Sequence, residues 1–402
     1  MYICIEIANI HKMIQRQITK HLRNMLTMFP VVSVTGPRQS GKTTLLKDAF
    51  PDYTYYNLER LDLREFIRAD PNGFLNNAGL KVIFDEVQQL PELFSYIQVV
   101  SDERNTNGQF ILSGSQSFLL NNHISQSLAG RVSINHLFPF DFTELTGIAD
   151  LSTIDSTIIN GFYPRLISQN IKPDDFYPSY LQTYIERDIR TLSSIQNLST
   201  FSRFLGLCAG RVGQILNLTS LATDAGVSVN TAKSWLSLLE SSFIIYLLQP
   251  YYRNFNKRII KAPKLYFYDT GIAASLLRIS LSQFRTHYLY GALFENLVIN
   301  EIIKNQIHNG IVPSIFYWRE SNGNEIDCLI ELNSEKIVLL EIKAGQTFNS
   351  DFMKNLNRFP ENRFSGTTKK CLIYSGKESS SISGIQVFTW EKFASLLEMI
   401  NS

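Results

Sequence analysis

The stretch from Val31 to Phe50, VVSVTGPRQSGKTTLLKDAF, limits the possible folds more than any other part of the chain. Inside it, Gly36-Pro37-Arg38-Gln39-Ser40-Gly41-Lys42-Thr43 fits G-x-x-x-x-G-K-[ST] without a gap. A β-rich apolar run precedes it and a helix-forming run follows. This is the pattern of a phosphate loop. Its glycines let successive backbone N–H groups face a phosphate chain, and the helix N-terminus behind them adds a favourable dipole. The lysine of such a loop reaches the β- and γ-phosphates, and the Ser/Thr hydroxyl ligates Mg²⁺. Gly36, Pro37, Arg38, Gln39, Ser40, Gly41, Lys42, Thr43 and Thr44 are the expected cradle for ATP. Lys42 is its catalytic cation and Thr43 a metal ligand.

Two more apolar runs, LKVIFDE (80–86) and GQFILSGS (108–115), alternate with helical stretches up to about Leu145. Fully apolar strands separated by helices predict a parallel sheet covered on both faces. Asp85 and Glu86 end one of these strands, where they share a crevice with the loop. Asp85 is expected to hold Mg²⁺, directly or through water, and Glu86 to orient and deprotonate the attacking water. Ser113 or Ser115, closing the next strand, either contacts the γ-phosphate or that water, or caps a turn. Arg131 in SLAGRV is a candidate finger acting in trans, which requires a homo-oligomer; an ordinary surface position fits it equally well.

At 402 residues the chain is expected to hold two or three domains, and 44% hydrophobic with 18% charged residues excludes a disordered polymer. A formal net charge of +2 implies no polyanion partner by itself, so any basic surface has to be local. Four scattered cysteines without C-x-x-C spacing exclude zinc and dithiol redox chemistry and suit a reducing compartment. The N-terminal run MYICIEIANIHK has its charges in the wrong order for a signal peptide, and no run approaches the ~20 apolar residues of a membrane span. A cytoplasmic location is expected.

From about Gly161 to Leu277 the pattern is mainly helical. Leu221-Ala222, Gly226-Val227 and Trp235-Leu236 fit helix-turn-helix spacing, and FIIYLLQPYYRNFNKRIIKAPKLYFYD (243–269) predicts a hairpin. Its basic run supplies Arg253, Lys257, Arg258, Lys261 and Lys264 for phosphate contacts. The helix meant to read DNA offers only Lys233 as a cation, so DNA contact and a lid or partner role stand level.

The last region opens with a long helix, YGALFENLVINEIIKNQI (290–307), followed by two strands in EIDCLIELNSEKIVLLEIKAG (325–345) and a third in KCLIYSG (370–376). Side chains in a strand alternate faces. Ile337, Leu339, Glu341 and Lys343 therefore share one face, with Glu341 and Lys343 roughly 7 Å apart at their α-carbons. In the preceding strand Ile326, Cys328, Ile330 and Leu332 are expected on one side, and Asp327, Leu329 and Glu331 on the other. Glu295 lies on the apolar stripe of the long helix with Val298, Ile299 and Ile302, where a carboxylate needs a partner. Glu295, Asp327 and Glu341 are the candidate ligands for Mg²⁺ or Mn²⁺. Glu341 and Lys343 are the candidate catalytic pair for metal-dependent phosphodiester hydrolysis. A half-solvated hairpin with a surface Glu341–Lys343 pair is the bland alternative.

In its order of motifs the chain resembles the bacterial and archaeal AAA+-type ATPases that carry a C-terminal domain of unknown function of the DUF4143 type. The resemblance rests on TGPRQSGKTTLL, VIFDEVQQLPELF, FILSGSQSFLL, SLAGRV, FPFDFTEL, GFYPRLI, YIERDI, KLYFYDTG, LFENLVINEI, EIDCLIE and LLEIKAG. It implies an α/β fold: an Orc/Cdc6-like or STAND-related ATPase core, a winged-helix middle and a C-terminal nuclease-like domain. Expected limits are 1–160, 161–283 and 284–402. The C-terminal residues are similar to the PD-(D/E)xK nucleases. Asp327 and Glu341 match the metal ligands of that superfamily, Lys343 its lysine and Glu295 its helical acid, although the Pro-Asp dipeptide is absent. The expectation is an ATPase acting on DNA, with nucleotide state controlling a metal-dependent site. The alternatives are a C-terminal domain that only binds, or a nucleotide-gated regulator or scaffold.

Overall fold

Runs such as VVSVT and VIFD carry no charge until their last residue, and they can only be strands buried on both faces. In the computed structural model, which describes residues 14–115, 127–149, 151, 153–185, 197–252, 262–320, 323–360 and 366–401, that is how they sit. Strands β1 (Val31–Thr35), β2 (Thr54–Asn57), β3 (Val82–Asp85), β4 (Phe110–Gly114) and β5 (Val132–His136) form a parallel sheet in the order β2-β3-β4-β1-β5. One face packs Val82, Phe84, Phe110 and Leu112 into a core, and the other packs Val32, Val34, Ile83 and Ile111. Helices α1 (Ile18–Met28), α2 (Lys42–Ala49), α3 (Leu61–Ala69), α4 (Pro71–Asn77) and α5 (Leu93–Arg104) belong to this region. Helix α1 buries Ile18, Leu22 and Leu26, a four-residue repeat that lays one stripe on the sheet.

Short helices follow: α6 (Phe142–Leu145), α7 (Ile154–Asn160), α8 (Pro164–Gln169) and α9 (Pro173–Tyr184). Then α10 (Leu198–Ala209) leads into the expected helix pair, α11 (Leu218–Ala225) and α12 (Val229–Ser241). Asn217 caps α11 through Ser220 N–H, Gly226 ends it in the left-handed region, and Ser228 caps α12 through Thr231 N–H. Leu221, Ala222, Trp235 and Leu236 are buried between them, and β6 (Ile245–Leu248) pairs antiparallel with β7 (Lys264–Phe267) as the wing. The basic residues Arg253, Lys257, Arg258 and Lys261 lie outside the described residues.

Helix α13 (Thr270–Leu276) connects to α14 (Tyr290–His308), the longest described helix, at 19 residues. It lies on a mixed sheet in the order β12-β13-β11-β10-β9-β8, built from β8 (Ile315–Arg319), β9 (Glu325–Asn333), β10 (Lys336–Lys343), β11 (Thr367–Tyr374), β12 (Ser380–Ile382) and β13 (Ile385–Thr389). Helices α15 (Lys354–Arg358) and α16 (Phe393–Asn401) complete it. The alternation holds for β10: Ile337 and Leu339 enter one core cluster, Val338, Leu340 and Ile342 the other. It fails in β9, where Ile326 packs with Leu329 rather than with Cys328 and Ile330. The β8–β9 register shifts between Phe316 and Trp318, pairing Trp318 with Ile326. That bulge adds a residue around Asp327 and turns Ile326 over. The largest core cluster runs from Phe140 to Ile400, so the middle and C-terminal regions share one interior.

Candidate functional site

The loop after β1 is held in the conformation a phosphate needs. Gly36 has φ +153°, and a Cβ there would meet Leu137 O at 2.0 Å, so no other residue fits. Gln39 (φ 60°) and Gly41 (φ 93°) take left-handed backbone, which turns the chain into the first turn of α2. Lys42 is buried, and its Nζ donates to the carbonyls of Gly36 at 2.9 Å and Pro37 at 2.8 Å. Those contacts hold the ammonium group over the loop, where a phosphate chain would arrive.

Asp85 and Glu86 stand at the carboxyl end of β3, with one strand, β4, between them and the loop strand. Asp85 Oδ2 accepts the hydroxyls of Thr43 and Tyr55, each at 2.6 Å. A hydroxyl and a carboxylate in contact at the phosphate edge are the donor set an Mg²⁺·ATP complex uses, so these residues fit that ion. Burial, then the hydrogen bond to Asp85, pushes the Tyr55 phenol up, so Tyr55 stays a donor. Glu86 has left-handed backbone (φ 55°), and its Oε2 is held by Gln88 Nε2 at 2.5 Å and Ser115 Oγ at 3.2 Å. The Ser113 expectation needs correction. Its hydroxyl is fully buried and donates to Asp85, so Ser115 lines the cavity and Ser113 stands behind it.

The cavity measures about 610 Å³ and is lined by Arg38, Gln39, Gly41, Lys42, Thr43, Thr44, Glu86 and Ser115, with Pro164, Arg165, Ser168, Gln169 and Thr183 opposite. The opposite wall is α8 and the end of α9. Sequence reasoning missed Arg165, whose Nε donates to Gln169 at 3.0 Å. Its only signal was GFYPRLI. There Gly161 (φ +62°) leaves no room for a Cβ against Tyr177 OH at 2.0 Å, and Asp269 of the DTG segment takes the N–H of Phe162 at 2.8 Å. Arg131 is not brought to the cavity. It precedes β5, at the opposite end of the sheet from the loop, and chelates Asp102 at 2.6 and 2.8 Å.

In the C-terminal sheet Asp327, Glu341 and Lys343 converge. The β9–β10 pairing runs to Leu340 opposite Cys328, and beyond it Asp327 Oδ2 accepts the Ile342 N–H at 2.8 Å. Lys343 Nζ bridges Asp327 Oδ2 at 3.2 Å and Glu341 Oε1 at 2.7 Å. Burial, then Asp327, pushes the Glu341 carboxyl up to about 8. Asn355 donates to Glu341 Oε1 at 2.9 Å, while the buried Oε2 has no hydrogen-bond partner among the described residues. An orphaned, hard-to-ionise carboxylate oxygen beside a second carboxylate is a donor set that fits Mg²⁺ or Mn²⁺.

Glu295 is held differently from what its stripe suggested. Lys264 Nζ at 3.1 Å and Tyr266 OH at 2.5 Å, both from the wing strand β7, donate to its Oε1. Burial first pushes its carboxyl up to about 7, with Lys264 pulling the other way. Lys264 also reaches Glu325 at 2.6 Å. Its expected contact with nucleic-acid phosphate is thus replaced by a buried role between two carboxylates. Among the described residues, the ligand atoms of Glu295, Asp327 and Glu341 do not come within 4.8 Å of one another as a set of three; Asp141, Glu144 and His308, two carboxylates and an imidazole, do. No described helix is long and apolar enough to cross a membrane.

Three family models match the chain: an AAA domain over residues 28–146, a domain of unknown function (DUF8612) over 151–283, and another (DUF4143) over 290–393. An uncharacterized protein of Mycobacterium tuberculosis is 30% identical over 344 residues, covering 83% of this chain and 74% of that protein. One of Methanocaldococcus jannaschii is 24% identical over 379 residues, covering 85% and 80%. Among solved structures, a Walker-type ATPase of Pyrococcus abyssi aligns with 65% of this chain and 95% of its own at 15% identity and a TM-score of 0.47. With the loop geometry and the parallel sheet, the family models and the mycobacterial relative show that the chain belongs to the family of AAA-type P-loop ATPases that carry a C-terminal DUF4143 domain.

Proposed function

We propose that the chain binds ATP with Mg²⁺ at the loop edge of the parallel sheet and hydrolyses it, and that nucleotide state controls a C-terminal site acting on DNA. The observation that carries the first half is that Lys42, Thr43 and Glu86 line one cavity, with Asp85 directly behind Thr43. On this reading Lys42 exchanges its two carbonyl contacts for phosphate oxygens. Glu86, tethered by Gln88 and Ser115, orients a water and takes its proton. Arg165 supplies a cation from the opposite wall. Bound Mg²⁺ supplies neutralisation of the charge that develops on the phosphates. Arg131 could act only on a neighbouring copy, so a role for it entails a homo-oligomer.

For the second half, Glu341 is the support. Its partnerless Oε2 and raised carboxyl are both relieved by a divalent cation shared with Asp327. Lys343 then positions a nucleophile for attack on a phosphodiester. DNA would approach over the helix pair and the wing, and the divisions at 160 and 283 and a cytoplasmic location are part of the proposal. One observation favours a catalytically silent binding module instead. Lys343 already neutralises Asp327 and Glu341, as Lys264 does Glu295.

The test is a cleavage assay of the full chain and Lys343→Ala on single- and double-stranded DNA and RNA, with ATP and with Mg²⁺ or Mn²⁺ in turn. Metal-dependent cutting by the parent chain, lost in the variant while ATP turnover persists, supports the reading. If the parent chain cuts nothing under any combination, the silent-module reading takes its place.

A further inference from the structure

The segment FPFDFTEL belongs to neither site, yet it holds a dense buried polar network. Arg16, just ahead of α1, is 6% exposed and spends its guanidinium on three acceptors. Nη1 donates to Ser40 O of the phosphate loop at 2.8 Å, Nη2 to Phe138 O at 2.7 Å, and Nε to Glu144 Oε1 at 3.0 Å. Its Nη1 also lies 3.4 Å from the place a Cβ on Gly41 would occupy. The guanidinium thus holds the loop through Ser40 O and packs beside Gly41.

What anchors Arg16 is shared with the C-terminal region. Asp141 and Glu144 form a capping box at the start of α6: Asp141 Oδ1 takes the Glu144 N–H at 2.9 Å, and Glu144 Oε2 takes the Asp141 N–H at 3.2 Å. Asp141 Oδ2 pairs with His308 Nδ1 at 2.8 Å, and the Phe138 N–H donates to His308 Nε2 at 3.4 Å. Since that backbone group can only donate, Nε2 is the acceptor and the ring proton lies on Nδ1, facing Asp141. Two turns earlier on α14, Glu301 Oε2 accepts the Phe142 N–H at 2.5 Å. Lys304 Nζ donates to Glu301 at 2.8 Å and to Phe140 O at 3.1 Å. Every carboxylate oxygen of Asp141 and Glu144 therefore has a protein donor. The grouping of Asp141, Glu144 and His308 is a packed network and leaves no open ligand for a metal.

Positions 301, 304 and 308 form one face of the last turns of α14. The same helix carries Glu295 about 20 Å away, at 1.5 Å per residue. We infer that Arg16 is a positioning residue for the phosphate loop. Its anchor is the interface between the FPFDFTEL segment and the C-terminal turns of α14, so nucleotide binding and the docking of α14 are coupled. A loop that moves when phosphate enters pulls on Ser40 O; the rigid fork of Arg16 passes this to Glu144, and the capping box passes it to His308. The inference rests on the nucleotide half of the proposed function and on no chemistry at the C-terminal site.

The experiment uses the full chain with a fluorescent ATP analogue for affinity and backbone hydrogen exchange of α14 with and without ATP and Mg²⁺. Nucleotide is expected to change exchange in the last two turns of α14 in the parent chain. Coupling is reciprocal, so His308→Gln, which alters the anchor and not the loop, is expected to shift analogue affinity about five-fold or more. Arg16→Ala is expected to raise KM more than it lowers kcat, with partial rescue in Arg16→Lys. If the parent chain does not bind the analogue at all, the nucleotide reading itself falls. If it binds tightly while exchange in α14 is unchanged, the coupling is overturned without touching that reading. A folded His308→Gln variant with affinity within about two-fold of the parent overturns it as well.

Discussion

The two candidate sites sit at the ends of two sheets and are made in opposite ways. The loop edge of the parallel sheet is a contiguous run of backbone. Its geometry is set by Gly36, Gln39 and Gly41, and its charged groups already have places to go. The C-terminal site is assembled from side chains on three separated elements, with β7 of the wing contributing a fourth. It retains an unsatisfied oxygen on Glu341. The first is pre-organised by local sequence, whereas the second exists only if α14, β9, β10 and β7 dock correctly. A backbone cradle should therefore fail through its chemistry when mutated, and a side-chain cluster through its electrostatics and stability.

Five outcomes test that contrast. Lys42→Ala removes the buried cation of the loop, and ATP turnover should fall by about three orders of magnitude or more with the fold intact. Turnover equal to that of the parent chain would remove the loop from the mechanism. Glu86→Gln keeps the hydrogen-bonding shape but not the base. It should lose about 10²-fold in kcat while the fluorescent analogue still binds.

Lys264→Met acts on the other site and on stability. It strands the buried Glu295 without its cation and leaves Glu325 to Arg319 alone, and breaking a buried pair of this kind costs about 3–5 kcal/mol. Urea denaturation measures it; a change under about 1 kcal/mol would mean that water, rather than Lys264, satisfies these carboxylates.

The fourth outcome is a pH dependence. The Glu341 carboxyl rises from its ordinary value of 4.5 to about 8 in the fold, so its contribution is fully present below pH 4.5 and lost as pH climbs toward 8. Without divalent cation, stability should decline through that window by on the order of 1 kcal/mol per pH unit. Glu341→Gln should flatten the decline, and Mn²⁺ should stabilise the parent chain more at pH 8 than at pH 6. A parent chain whose melting temperature is indifferent to Mn²⁺ at both values would count against a metal there. The smallest effect belongs to Arg131→Ala. With its guanidinium on Asp102 at the far end of the sheet, ATP turnover should stay within about two-fold. A large loss that depends on protein concentration would instead make Arg131 a group acting between copies.

Much of the first site is legible in the sequence. The motif is contiguous, and apolar strands ending in Asp85 or Ser113 can be placed in a parallel sheet by composition alone. Which serine faces the cavity was not legible: Ser113 and Ser115 both point inward at a strand end, and only the neighbouring Asp85 claims one of them. The β10 face of the second site followed from period-2 alternation. The β9 face did not, because a bulge at Asp327 breaks the period without any glycine or proline to announce it.

The sequence by itself determined the phosphate loop, the parallel sheet behind it and the polar set Glu295, Asp327, Glu341 and Lys343, because local backbone preference and short-period patterning act over a few residues. Only the tertiary structure decided who partners whom. Lys264 goes to Glu295 rather than to a phosphate, Arg131 to Asp102, Arg165 to the cavity wall, and Arg16 between Ser40 and Glu144. A buried charge must find an opposite charge or donor wherever the fold brings one near, and that neighbour can lie more than a hundred residues away in the chain.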